Sequence, residues 1–303
     1  MGSSHMNHQF GSRETKQHEK YRDNPLLFIK QQWIGYDVEC FKVSKIIPRD
    51  YQLKAIKSIH ENKFNILASS RQMGGTSLMS AYIAWYVLFH EKKQVLIMSN
   101  NMSFGTRVLE LIKAILLNYY VDGVFSFGKN VIKNNKTELE LDNGCRIKIC
   151  APSVDAGKGQ VIDLLFVDNA AFVKNLGDMY MGLGMSIAAG DGKVVMMSTP
   201  FNDSDFNLLA LNAKDNRNFN YIEWTWNKLY TEKWYEEQCK QLGRHQDKID
   251  TELNCVINYK EKTSKDKTIS LRIDLDTYNK MKIKAGDLKI SDYIRYLIDH
   301  DLS

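Results

Sequence analysis

Asn65-Ile-Leu-Ala-Ser69-Ser-Arg71-Gln-Met-Gly74-Gly75-Thr76 decides the fold. An apolar, strand-like run leads into a glycine-containing turn, and an apolar helix pattern, Ser77 to Phe89, follows. A phosphate-binding loop is strand, G-x-x-x-x-G-K-[ST], helix: its backbone N–H groups surround phosphate oxygens at the positive end of the helix. Gly74 and Thr76 are in register with that pattern. Ser69 stands at the first glycine and Gly75 at the lysine. Taken alone, the stretch reads equally well as a glycine-rich turn of any α/β protein.

The chain on either side alternates strands and helices. Val95–Met98, Leu164–Val167 and Lys193–Met197 are short, apolar and rich in β-branched residues or Met, as buried parallel strands are. A helix pattern, Ser103 to Tyr119, follows the second strand. The order predicts an α/β fold, a doubly wound parallel sheet flanked by helices. Thr137–Leu141 and Cys145–Cys150, joined through Asn143-Gly144, predict a hairpin. Asn207 to about Tyr259 reads as a mixed α+β closing segment, with Trp224, Trp226 and Trp234 as packing aromatics.

A second motif tips the balance toward the phosphate loop. Leu164-Leu-Phe-Val-Asp168 is an apolar strand ending in an acid, the Walker B pattern, in which the carboxylate holds a Mg²⁺ shell. Thr76 and Asp168 are therefore the candidate metal ligands. Asn169 stands where a Glu often follows; an amide orients water but does not take its proton.

Together these stretches resemble the large terminase subunit of tailed phages, especially its T4-like branch. The resemblance runs from about Asp23 to Tyr259, with five motifs in order. It implies an ATPase domain of a DNA-packaging motor using ATP or ADP with Mg²⁺. Tyr51 and Gln52, within Pro48–Gln52, would contact adenine. Ser70, Arg71, Gln72, Gly74, Gly75 and Thr76 would line the nucleotide, with Arg71 as an arginine finger in cis. Ala156-Gly-Lys158-Gly159 matches a basic segment before Walker B, and Ser198-Thr199-Pro200 the motif coupling hydrolysis to DNA movement. Asp23–Lys30 resembles the segment upstream of the adenine site, and Leu141–Gly144 the family hairpin.

The family implies Lys at position 75 and Glu at position 169. Losing one preorganised transition-state donor slows a reaction about 10²–10³-fold. Arg71, Asp168 and Asn169 remain as candidate catalytic groups, and weak nucleotide binding without efficient turnover is expected. The family's following nuclease domain is not expected either, because only about forty residues follow Tyr259, too few for such a domain.

Those residues carry a different pattern. Lys260–Lys267 is charged and free of apolar residues, a linker. Thr268–Asp274 alternates, with Ile269, Leu271 and Ile273 on one face and Thr268, Ser270 and Arg272 on the other. A helix from Asp276 to about Ala285 and a second from Asp292 to Asp301, with Ser291 as N-cap, follow. Strand, helix, helix resembles the ribbon–helix–helix DNA-binding family, in which two chains pair their strands. That implies a homodimer on double-stranded DNA, with Thr268, Ser270 and Arg272 reading bases and the N-terminus at Ser291 holding a phosphate. An α-hairpin that only oligomerises is the alternative.

The expected organisation is a leader at 1–13 resembling a tag remnant, a terminase-like ATPase domain at 14–259, a linker at 260–267 and a ribbon–helix–helix domain at 268–303. His5 and His8 fall in the leader and are set aside as ligands. Five scattered cysteines without CxxC spacing suggest neither zinc nor a disulfide framework. Net charge of +5 permits a nucleic-acid partner without arguing for one. No apolar run reaches the roughly 18 residues that span a membrane. The bacterial host cytoplasm, with phage terminase subunits or a portal as further partners, fits the resemblance.

Three functions stay open: a pseudo-ATPase whose tail reads DNA and which modulates phage or satellite packaging or transcription; an active but unconventional packaging ATPase using Arg71 and Lys158 as cations; and a repressor whose ATPase fold only spaces the dimer.

Overall fold

The computed structural model describes residues 18–37, 42–119, 127–153, 159–216, 219–259 and 275–285. The chain divides into two compact units, Met1–Tyr259 and Lys260–Ser303.

In the first unit, the described elements run α1 (Pro25–Gln32), β1 (Ile34–Asp37), β2 (Lys42–Lys45), α2 (Asp50–Glu61), β3 (Phe64–Ser69), α3 (Gly75–Phe89), β4 (Gln94–Ser99) and α4 (Met102–Asn118). Next come α5 (Phe127–Asn130), β5 (Val131–Asn134), β6 (Glu138–Leu141), β7 (Arg146–Cys150) and β8 (Leu164–Asp168). The unit closes with α6 (Leu176–Ala189), β9 (Lys193–Ser198), α7 (Asp205–Asn216), β10 (Asn220–Trp224), α8 (Glu232–Gln241) and α9 (Gln246–Glu252). The second unit contributes α10 (Leu275–Ala285).

The main sheet has the order β10-β3-β9-β8-β4-β7-β6-β5. Its first six strands are mutually parallel, and β6 and β5 add antiparallel. The parallel strands lie between two layers of helices, so both faces are apolar. Leu67, Phe166, Val195 and Ile97 pack with α1, α3 and α4 on one face. Ile66, Val167, Met196 and Met98 pack with α6 and α7 on the other. This is the α/β sheet expected from the sequence.

Several bounds move, for local reasons. Helix α3 starts at Gly75 rather than Ser77, because the left-handed turn is completed at Gly74 (φ 79°) and Gly75 is already helical. Helix α4 starts at Met102 rather than Ser103, because Asn101 caps it, its side chain accepting from the Ser103 N–H at 2.9 Å. The Asn143-Gly144 hairpin forms between β6 and β7, with Gly144 at φ 80°. Its second strand also pairs in parallel with β4, which stitches the hairpin into the main sheet. The closing segment supplies β10, a strand that sequence patterning missed because it is short and mostly half-buried.

Trp224 is buried in the main core. Trp226 stacks on Tyr235 and Trp234 on Tyr230, around a small separate core of Cys239, Ile249 and Leu253. All three tryptophans are packing residues, as their sequence context implied.

The register places the candidate motifs together. Ala68 lies opposite Ser198, Met197 opposite Asp168, and Asp168 opposite Ser99. The carboxyl ends of β3, β9, β8 and β4 therefore share one edge, where ligands of open α/β sheets bind.

Candidate functional site

The loop after β3 is held from several sides. The Ser70 N–H donates to the Trp224 carbonyl at 2.7 Å, and the Ser70 hydroxyl to the Leu253 carbonyl. The Arg71 N–H donates to the Glu252 carbonyl at 2.8 Å. The Tyr230 hydroxyl donates to the Gln72 carbonyl at 2.9 Å. Tyr51 Oη and Gln52 Nε2 donate to the Met73 carbonyl at 3.0 and 3.3 Å. Burial pushes the Tyr51 hydroxyl up to about 12, so it donates as a neutral phenol. Gln72 and Gly74 both have positive φ (61° and 79°). Alternating the backbone hand this way turns successive N–H groups into one concavity, the geometry of an anion nest.

The loop opens onto a cavity of about 600 Å³. Of the expected nucleotide residues, Ser70, Arg71, Gln72, Gly74, Gly75 and Thr76 line it, with Asp168, Asn169, Ser198 and Thr199. Tyr51 and Gln52 do not line it; they brace the loop from behind at Met73. Pro200 follows Thr199 but is not part of the lining.

Thr76 Oγ1 donates to the Asp168 carboxylate at 3.1 and 3.3 Å. The Asn169 N–H donates to the same carboxylate at 3.1 Å. Burial nevertheless dominates and raises the Asp168 carboxyl from 3.8 to about 6, the two hydrogen bonds opposing it. A hydroxyl and a carboxylate side by side suit Mg²⁺, which takes one or two protein oxygens and completes its shell with water and phosphate. Ser198 Oγ is buried without a hydrogen-bond partner among the described residues, a group that a ligand or water would satisfy.

The lysine position is different. A Cβ built on Gly75 would sit inside the van der Waals envelope of Met197 Sδ, with the Trp224 ring 3.5 Å away. The sulfur of Met197 thus lies where the stem of a side chain at position 75 would go, and that thioether would have to move aside. Asn169 has left-handed backbone (φ 55°), a conformation that Asn tolerates better than Glu. Both departures from the motif are accommodated by their surroundings.

Arg71 is 61% exposed, and its guanidinium pairs with Glu252 at 3.4 Å. Such an exposed pair adds little to stability, so Glu252→Gln should shift the urea midpoint by less than the equivalent of ~0.5 kcal/mol. A larger shift would assign the pair a structural role.

Sequence reasoning missed Phe104, Arg107, Phe172 and Glu252, which also line the cavity. The spacing of Phe104, Arg107 and Leu111, as i, i+3 and i+7, marked one face of a helix, but the cavity it faces was not visible in the sequence. Lys158 and the expected DNA-reading residues Thr268, Ser270, Arg272 and Ser291 lie outside the described residues.

Among solved structures, the fold is similar to the Thermus phage P74-26 large terminase ATPase domain, at 15% identity and a TM-score of 0.53 over 70% of this chain and 94% of that one. It is similar to the large terminase of bacteriophage HK97, at 14% identity and a TM-score of 0.61 over 79% of this chain and 55% of that one. The large terminase of a thermophilic bacteriophage, solved in complex with ADP, matches at 13% identity and a TM-score of 0.50, over 63% of this chain and 49% of that one. This chain therefore spans about half the length of the latter two terminases. These likenesses carry the fold. Residues 66–256 also match the family model of the terminase large subunit, T4likevirus-type, N-terminal, and the chain belongs to that family.

Proposed function

We propose that this chain is a terminase-derived pseudo-ATPase that binds Mg²⁺-nucleotide without turning it over efficiently and modulates DNA packaging by a phage motor. The observation that carries this reading is Met197 in the space of the missing side chain at position 75, beside an intact Thr76–Asp168 pair. The loop N–H groups would hold phosphate, and Thr76 and Asp168 would hold Mg²⁺, which when bound would neutralise phosphate charge. Asn169 orients water but does not accept its proton. The similar terminase solved in complex with ADP lends support to a nucleotide in this cavity.

Purified protein should bind ATP with Mg²⁺ yet show no ATP turnover above background, with or without DNA. The intact Thr76–Asp168 pair also favours a second reading, an active unconventional packaging ATPase. Clear turnover that disappears in Asp168→Ala would establish that reading and sink the first.

The tail is proposed to be a dimeric ribbon–helix–helix module at 268–303 that reads DNA through Thr268, Ser270 and Arg272 and clamps a phosphate at Ser291. Among the described residues, α10 supports this: Ile283 is 81% exposed and Tyr278 40%, apolar surface that a second copy would cover. Arg272→Ala is expected to weaken binding to a selected site by about 1–3 kcal/mol and to leave random DNA nearly unaffected. Equal loss on both would make Arg272 a phosphate contact. A selected motif without two-fold symmetry would contradict the dimer.

A further inference from the structure

We infer that Arg107 supplies the phosphate-directed cation that position 75 lacks, meeting the terminal phosphate of a bound nucleoside triphosphate. This inference rests on the reading of the cavity as a nucleotide site. Four observations converge on it. Helix α4 turns Phe104, Arg107 and Leu111 toward the cavity that also contains Gly75, Thr76 and Asp168. Arg71, the other arginine of that lining, already faces the Glu252 carboxylate at 3.4 Å, which offsets its charge. Arg107 is exposed and has no carboxylate partner among the described residues. A side chain at position 75 would have to displace the thioether of Met197 first.

The topology gives Arg107 its position. Ser99 ends β4 directly opposite Asp168, and α4 begins three residues later. Arg107 lies in the second turn of that helix and lines the same cavity as Thr76 and Asp168. A guanidinium offers a planar fork for two phosphate oxygens, a better fit than a point charge when the donor approaches from the side. The buried Ser198 hydroxyl, on the neighbouring strand β9, is a second polar group that the same phosphate would satisfy. Adenosine monophosphate, lacking the distal phosphates, would not reach Arg107.

The test is equilibrium binding of ATPγS, ADP and AMP, each with Mg²⁺, to the full chain and to its Arg107→Ala and Arg107→Lys variants. Arg107→Ala is expected to weaken ATPγS about 10- to 100-fold and AMP less than about threefold, with Arg107→Lys between. Circular dichroism of both variants should match the parent, because the side chain is exposed. Parent-like ATPγS affinity in Arg107→Ala would overturn the role of Arg107 while leaving the nucleotide site standing. Equal weakening of ATPγS and AMP would overturn it in favour of a role in shaping the cavity. If the parent chain binds none of the three, the nucleotide reading fails, and the role of Arg107 with it.

Discussion

Asp168→Asn is expected to make the nucleotide-free protein more stable while removing its response to Mg²⁺-nucleotide. The carboxyl is almost fully buried, 3% exposed. It holds its proton up to about pH 6, whereas an unfolded aspartate releases it near 3.8. Between those pH values the folded chain binds more protons than the unfolded one, so stability falls as pH rises, and the full penalty is present above about pH 6. The separation corresponds to about 3 kcal/mol. Asparagine keeps an acceptor for Thr76 but turns the other oxygen into a donor, which returns part of the gain. A net increase of about 1–2 kcal/mol, or about 2–8 °C in Tm, is expected at pH 7.5. Below about pH 4 the gain should be gone and only the cost of the amide should remain, so the variant is then no more stable than the parent. Thermal shifts with and without Mg²⁺-ATP at both pH values check it. A variant less stable than the parent at pH 7.5 would show that the carboxylate is not under strain.

Gly75→Lys, the change that restores the motif, is expected to destabilise the protein and to leave nucleotide affinity no higher. Its Cβ collides with Met197 Sδ, and Met197 is itself packed in the core at 4% exposure. Forcing a side chain into such a site costs about 1–3 kcal/mol. Met197→Ala removes the obstacle, so Gly75→Lys should be tolerated better in that background, with a coupling of about 1–2 kcal/mol in a double-mutant cycle read by urea denaturation. Additive effects of the two substitutions would mean that Met197 does not occupy the lysine path. Asn169→Glu brings its own strain, about 1 kcal/mol for leaving a left-handed position to a residue that avoids it. Restoring the two motif residues without their surroundings is therefore not expected to produce a working ATPase.

The sheet could be read from the sequence because its central strands are continuous apolar runs closed by turns, and no surface strand reads that way. The loop was legible too: Gly74 needs left-handed backbone, Thr76 opens the helix after one recognisable strand, and Asp168 ends another. What stayed hidden depends on contacts between residues distant in the chain. Met197 looked like one more apolar residue of a strand, and its bearing on Gly75 exists only once β9 pairs with β3. Arg107 lies on a helix whose sequence does not show which face meets the cavity. Tyr51 and Gln52 carried a family expectation about adenine, whereas here their donors are directed at the Met73 carbonyl. Strand β10 eluded periodicity because an edge strand buries little.

The shape of the phosphate loop is not written in the loop alone. Ser70, Arg71 and Gln72 are fixed by backbone carbonyls at Trp224, Glu252 and Leu253 and by the hydroxyl of Tyr230. A fragment ending at Trp224 would retain all ten described strands of the first unit and still leave the Arg71 N–H and the Ser70 hydroxyl without their partners. The smallest piece able to present a formed cradle extends to the small core around Ile249 and Leu253. Any shift of that core would be felt directly in the cradle, through the Glu252 and Leu253 carbonyls that brace it.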